Sequence, residues 1–211
     1  HFGWGTEDPK AEFERQKSLG ATFFAPLTDI SDMVGRPFYY MYVQGPDRAL
    51  IELNTASHHR FGHLHLFSKD PIAAGDWYIK TFGVRGRYQG PDAPRTVRMY
   101  QNNQIGPSAN LNFDNVNMII YPVEYSKYNY ADDWKGVSEI QPTRGSVNDH
   151  VGFSVPNLND ALAKLRAAGV KVTAEPREGP QGKFRYAFIE GPDQIAIELI
   201  EDHSGHPPIE N

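Results

Sequence analysis

Eight histidines and no cysteine decide what kind of site this chain of 211 residues can build. Thiolate nucleophiles, disulfides, iron–sulfur clusters and cysteine-ligated zinc are excluded. Imidazole and carboxylate remain as the strong ligands for a transition metal. Two histidines open runs of alternating hydrophobicity, His63 in HLHLFS (63–68) and His150 in HVGFSV (150–155). Two glutamates occupy matching places in a second repeat. Residues 42–54 read YVQGPDRALIELN and 188–200 read FIEGPDQIAIELI, so Glu52 and Glu198 follow the glycine of a Gly-Pro-Asp turn at the same spacing. A glutamate inside such a strand is costly to bury alone, so it must face water, be paired or hold a metal. If the two strand systems share one concave surface, His63, His150 and Glu198 offer two imidazoles and a carboxylate. That set suits Fe(II), Mn(II), Ni(II), Co(II) or Zn(II) and leaves coordination positions open, with Glu52 as a further donor. From composition alone the alternative stands that these are ordinary core or surface histidines and solvent-facing strand glutamates.

Strand parity fixes which of these residues share a face. His63, His65 and Phe67 lie opposite Leu64, Leu66 and Ser68; His150, Gly152 and Ser154 lie opposite Val151, Phe153 and Val155. Glu198 lies opposite Ile195, Ile197 and Leu199, and Glu52 opposite Ala49, Ile51 and Leu53. Each histidine-led strand is followed by a helical stretch. One starts at Pro71 behind an Asp70 cap and stops at Gly83; the other runs from Asn159 or Asp160 through ALAKLRAA to Gly169. Strands at 171–173, 184–190 and 194–200, the last two forming a hairpin, complete a βαβββ module at 149–201. The first module, set at 36–125, takes strands at 84–88, 96–100 and 116–121, and its closing hairpin (38–54) precedes it. Residues 1–35 are predicted to be an arm with a short helix, 126–148 a linker or lid, and 202–211 a tail.

Charge and hydropathy narrow the partners. With 21 Lys+Arg against 26 Asp+Glu, scattered along the chain, neither a nucleic-acid footprint nor a polybasic membrane patch is expected. No window approaches the roughly 20 apolar residues of a membrane helix. The start at His1 points to a trimmed or omitted upstream segment, so the expectation is a soluble protein, either cytoplasmic or exported after removal of that segment. Glycine-rich phosphate cradles and a Ser–His–Asp arrangement are missing. His58, His59, His203 and His206 read as surface or rim residues. The spacing of His63 and His65 is also that of a cupin, but Lys69-Asp70 and then a helix follow where a cupin needs a glutamate.

On GHLHLFSKDPIAAGDWYIKTFG (62–83), NDHVGFSVPNLNDALAKLRAAGVKV (148–172) and FIEGPDQIAIELIE (188–201), with YVQGPDRALIELN (42–54) as an extra hairpin, the chain resembles the vicinal oxygen chelate superfamily. That superfamily contains glyoxalases, bleomycin-resistance proteins and ring-cleaving dioxygenases. The resemblance spans residues 36–201. It implies an α+β fold of paired βαβββ modules forming a cupped, incomplete β-barrel around a divalent metal (Fe, Mn, Ni, Co or Zn), with a substrate that chelates through neighbouring oxygens. Carried over, the metal ligands are His63, His150 and Glu198. Glu52 becomes the first choice for general base, and His65 and Tyr186 become pocket residues of the catalytic site. Strand 116–121 has no acid aligned with a fourth ligand; Glu124 lies just beyond it, and Glu52 matches by motif but precedes His63. The activity implied is that of a lyase or isomerase working through an enediolate or oxyanion on a small-molecule substrate. The alternatives are an Fe(II) ring-cleaving dioxygenase and a non-enzymatic binding protein lined by Tyr100, Phe113, Tyr121 and Tyr186. The modules would close within one chain or across a homodimer.

Overall fold

Asp8 and Asp70 each cap a helix that begins at proline, and each follows a strand, one starting just after His1 and the other containing His63. The computed structural model describes residues 1–87, 95–114 and 116–203. In it β1 (Phe2–Thr6) leads into α1 (Pro9–Ser18), where the Asp8 carboxylate accepts from the Lys10 and Ala11 amides. Strand β2 (Phe23–Asp29), the short α2 (Ser31–Val34), β3 (Tyr39–Gln44) and β4 (Leu50–Thr55) follow. The pattern then repeats. β5 (Phe61–Ser68) leads into α3 (Pro71–Phe82), whose Ala73 amide donates to Asp70. Next come β6 (Arg85–Arg87), a ribbon of β7 (Arg98–Tyr100) and β8 (Asn103–Gly106), β9 (Ala109–Phe113), β10 (Val116–Pro122) and α4 (Val123–Asn129).

Eight of these strands form one sheet in the order β2-β3-β4-β1-β5-β10-β9-β6. It is two βαβββ modules laid edge to edge. Within each, the first strand runs parallel to the last, β1 with β4 and β5 with β10; the modules meet where β1 and β5 pair antiparallel. The stretch 1–35 is therefore not an outer arm. It supplies the first strand, helix and second strand of a module that the 39–55 hairpin completes. Its helix hides this well: in PKAEFERQKS only Pro9 is buried, so the apolar stripe that marks a packed helix is nearly absent.

The chain divides into two compact units, His1–Ile79 with Val84–Lys135, and Lys80–Gly83 with Gly136–Asn211. The second carries a further module: β11 (Val151–Ser154), α5 (Leu158–Ala167), β12 (Val172–Glu178), β13 (Phe184–Glu190) and β14 (Ala196–Asp202), ordered β11-β14-β13-β12 with β11 parallel to β14. Residues 204–211, which include His206 and most of the expected tail, lie outside the described residues, as does residue 88 of the expected strand 84–88.

Both Gly-Pro-Asp hairpins fold alike. Asp47 and Asp193 take left-handed φ of 53° and 54°, followed by Arg48 and Gln194 at 62° and 64°. Aspartate tolerates this region better than most residues, and the shared turn sets Glu52 and Glu198 at the same register. The apolar face of β10 buries Met118 and Ile120 with Leu111, Ile72 and Tyr78, leaving Asn117, Ile119 and Tyr121 on the opposite face. Ile189, Ile197 and Leu199 fill the core of the second unit with Leu158 and Leu162. Truncating Leu111 or Ile197 to alanine should cost about 2–5 kcal/mol of unfolding free energy. Urea denaturation measures this, and a loss below about 1 kcal/mol would contradict the assigned cores.

Candidate metal centre

The joint between β1 and β5 brings distant residues together. Gly3 lies across from His63 on β5 and beside Glu52 on β4. A Cβ on residue 3 would fall 1.9 Å from His63 Cε1, so only glycine lets that imidazole lie over the strand. Two residues earlier, the His1 carbonyl accepts from the His65 amide at 3.0 Å. His1, Glu52, His63 and His65 thereby converge, with one ligand atom from each lying within 4.8 Å of the others. Glu52 Oε2 is 3.0 Å from His1 Nε2, 3.4 Å from His63 Nε2 and 3.9 Å from His65 Nδ1. The side chains of His1 and Glu52 are 3% and 6% exposed.

A second layer orients them. Asn54 Nδ2 donates to Glu52 Oε1 at 3.1 Å and lies 3.3 Å from His63 Nδ1. The Tyr42 hydroxyl is 3.3 Å from His1 Nε2 and that of Tyr130 is 3.4 Å from His1 Nδ1. Around the cluster runs a chain of ring contacts from His65 through Tyr121, Tyr125, Phe67, Tyr130, Phe24 and Tyr42 back to His1, at centroid distances from 4.8 to 6.4 Å.

Burial alone would drive the Glu52 carboxyl to higher pKa, but the imidazoles of His63 and His65 and the Tyr42 hydroxyl hold it down at about 2. Burial pushes His65 the other way, to about 3, against the pull of Glu52. Tyr42, Tyr121 and Tyr130 are raised by burial and stay protonated phenols. At neutral pH the cluster therefore presents a full carboxylate and a proton-free His65 nitrogen. His63 Nε2 is buried and makes no hydrogen bond, an open donor position aimed at Glu52. Three imidazoles and one carboxylate in this state fit a borderline divalent cation.

The structure divides the three ligands expected from sequence. His63 belongs to the first unit, with Glu52, His65 and His1, whereas His150 and Glu198 belong to the second. There His150 Nε2 is 3.3 Å from Glu198 Oε2 and its Nδ1 is 2.7 Å from Asp149 Oδ1. Tyr186 lines a cavity of about 550 Å³ with them, together with Arg144, Phe184 and Phe188. Of the other aromatics expected in a pocket, Tyr100 donates to Asp32 and Phe113 packs on Tyr78, so only Tyr121 stands at the cluster. Glu124 is exposed on α4. His1 is the residue the sequence reading missed. Its signal was present: HFGWGTEDP (1–9) and HLHLFSKDP (63–71) share the histidine, a hydroxyl residue five positions on, and the Asp-Pro cap.

Residues 60–199 match the family model described as the Glyoxalase/Bleomycin resistance protein/Dioxygenase superfamily. A "Probable lactoylglutathione lyase" of Vibrio cholerae is 31% identical over 75 residues, covering 36% of this chain and 53% of that protein. A "Lactoylglutathione lyase" of Escherichia coli O157:H7 is 40% identical over 58 residues, 28% of this chain and 43% of that protein. The chain thus spans about half the length of these curated relatives. Among solved structures, glyoxalase I from Zea mays shares the fold with a TM-score of 0.68 at 16% identity, over 97% of this chain and 67% of that one.

The two shifted groups set an acid limit on the metal-free protein. Folding lowers His65 from 6.5 to about 3 and Glu52 from 4.5 to about 2, so the folded state binds fewer protons than the unfolded one. Stability should therefore fall with pH, first below 6.5 through His65 and then below 4.5 through Glu52. Urea midpoints across this range should drop, and His65→Asn should flatten the upper part. An unchanged slope in that variant would refute the assignment to His65.

Proposed function

Because the chain belongs to the Glyoxalase/Bleomycin resistance protein/Dioxygenase superfamily, we propose that the buried cluster is the metal centre of a lyase or isomerase acting on a small oxygenated molecule. The observation that carries this reading is the convergence of His1, Glu52 and His63, with His65 beside them, on one point beneath a ring of aromatic side chains. His1, Glu52 and His63 would hold the cation. When bound, a divalent cation supplies Lewis-acid polarisation of two neighbouring substrate oxygens.

The rest is work for side chains. Glu52, the carboxylate of the cluster, would take a proton from a carbon beside those oxygens and return it. Tyr42 and Tyr130 keep their hydroxyl protons and would donate hydrogen bonds where negative charge develops on oxygen. Asn54 and Tyr130 hold the carboxylate and the His1 ring in place, as outer-layer partners do in metal sites generally. The surrounding rings shield the reaction from water. They also support a second reading, oxidative cleavage of an aromatic diol with Fe(II) at the same residues.

Untagged protein purified without chelator should carry about one equivalent of a divalent transition metal, and less than about a tenth, with none restored on reloading, would sink the reading. Chelation should abolish turnover, and Glu52→Gln and His63→Ala should each lower kcat/KM by about 100-fold or more. Turnover of lactoylglutathione against oxygen uptake with catechols separates the two readings.

A further inference from the structure

The three modules place one pair of residues differently. In each, the last strand runs parallel beside the first, and the position two residues after the leading histidine faces a fixed position on that last strand. In the first module the pair is Gly3 and Glu52, and in the module of the second unit it is Gly152 and Glu198. In the module between them in sequence it is His65 and Ile119. Where two modules put a carboxylate on the last strand and a glycine on the first, this one puts an aliphatic side chain on the last and an imidazole on the first.

The glycine of the first module has a visible purpose. A Cβ at Gly3 would collide with the His63 ring, whereas one at Gly152 would make an ordinary contact, 3.6 Å from Glu198 Oε2. His65 fills the equivalent space with its own ring, which lies 4.4 Å from that of His1 and 4.7 Å from that of His63, and aims Nδ1 at Glu52 Oε2. Ile119 shares the site face of β10 with Tyr121 but has no donor atom.

Resting on the metal-centre reading above, we infer that His65 is the fourth metal ligand, a nitrogen donor on β5 that takes the place of the carboxylate missing from β10 at Ile119. The donor has moved one strand sideways, about 4.8 Å in a sheet, and changed from oxygen to nitrogen. The site then holds its cation with three imidazoles and a single carboxylate, which leaves it one charge more positive than a second carboxylate would. Soft and borderline cations gain over hard ones in such a set.

The test exchanges the donor back. Co(II) and Zn(II) titrations are run on the parent chain, His65→Gly, Ile119→Glu and the double variant His65→Gly/Ile119→Glu, which restores the pairing of the other two modules. His65→Gly should weaken binding by more than about 100-fold, beyond what loss of an outer-layer partner costs, and the double variant should recover most of that loss. The Co(II) d–d spectrum of the double variant should differ from the parent's. Cu(II)-loaded parent chain, extended upstream of His1 so that its backbone nitrogen is an amide, should show three imidazole nitrogens by pulsed EPR. That measurement needs no variant to fold. Unchanged affinity and spectrum in His65→Gly, or two nitrogens in the parent, would overturn the role of His65 while leaving the metal centre intact. Absence of metal binding by the parent itself, insensitive to His63→Ala, would overturn the metal-centre reading and this inference with it.

Discussion

A carboxylate in the interior of a sheet is held in place by what surrounds it. Glu52 is 4% exposed on β4, the third of eight strands in the sheet order, where an isolated charge would cost several kcal/mol. It stays ionised because the His63 and His65 rings, the Tyr42 hydroxyl and the Asn54 amide all turn toward it. Those groups come from β3, β4 and β5, and His1 joins them from the residue before β1. The cluster is therefore as much a requirement of the fold as a product of it. Removing Glu52 would leave imidazoles facing one another, and removing the imidazoles would leave a bare buried charge.

What makes this arrangement reachable is repetition. Each module lays its first strand parallel to its last, so a histidine at the start of the first and a donor on the last stand on neighbouring strands without any long side chain having to stretch. Joining two modules through β1 and β5 then doubles the set. The doubling is imperfect at Gly3 and Glu52 against His65 and Ile119, and the imperfection gives the centre its excess of nitrogen. In the second unit the same pattern yields a histidine and glutamate 3.3 Å apart, backed by Asp149 and Arg144.

Much of this was legible in the sequence, because local rules govern it. The Gly-Pro-Asp turns fix Glu52 and Glu198, alternation fixes which face His63 and His65 share, and Asp70-Pro71 marks a helix start. The first module was not legible by those rules. Its strand FGWGT spaces glycines where alternating apolar residues are expected, and its helix buries almost nothing, so residues 1–35 resemble an arm. The pairing of β1 with β5 is a tertiary event with no local trace, and comparing only the two clearest strands, at His63 and His150, leaves out His1. The glycines that weaken β1 as a strand are the ones its site needs: Gly3 makes room for His63.

His63 and His65 are separated by one residue, whereas His1 and Glu52 reach them only after strands far apart in the chain have paired. An unfolded chain thus keeps two of the cluster's three imidazole donors together as a local chelate, with His58 and His59 close by. A transition-metal cation present before folding would find a pair of imidazoles there. Ligand binding stabilises a fold only by the difference in affinity between folded and unfolded states. A cation held at this cluster would consequently protect the protein against unfolding by less than its native affinity alone would suggest.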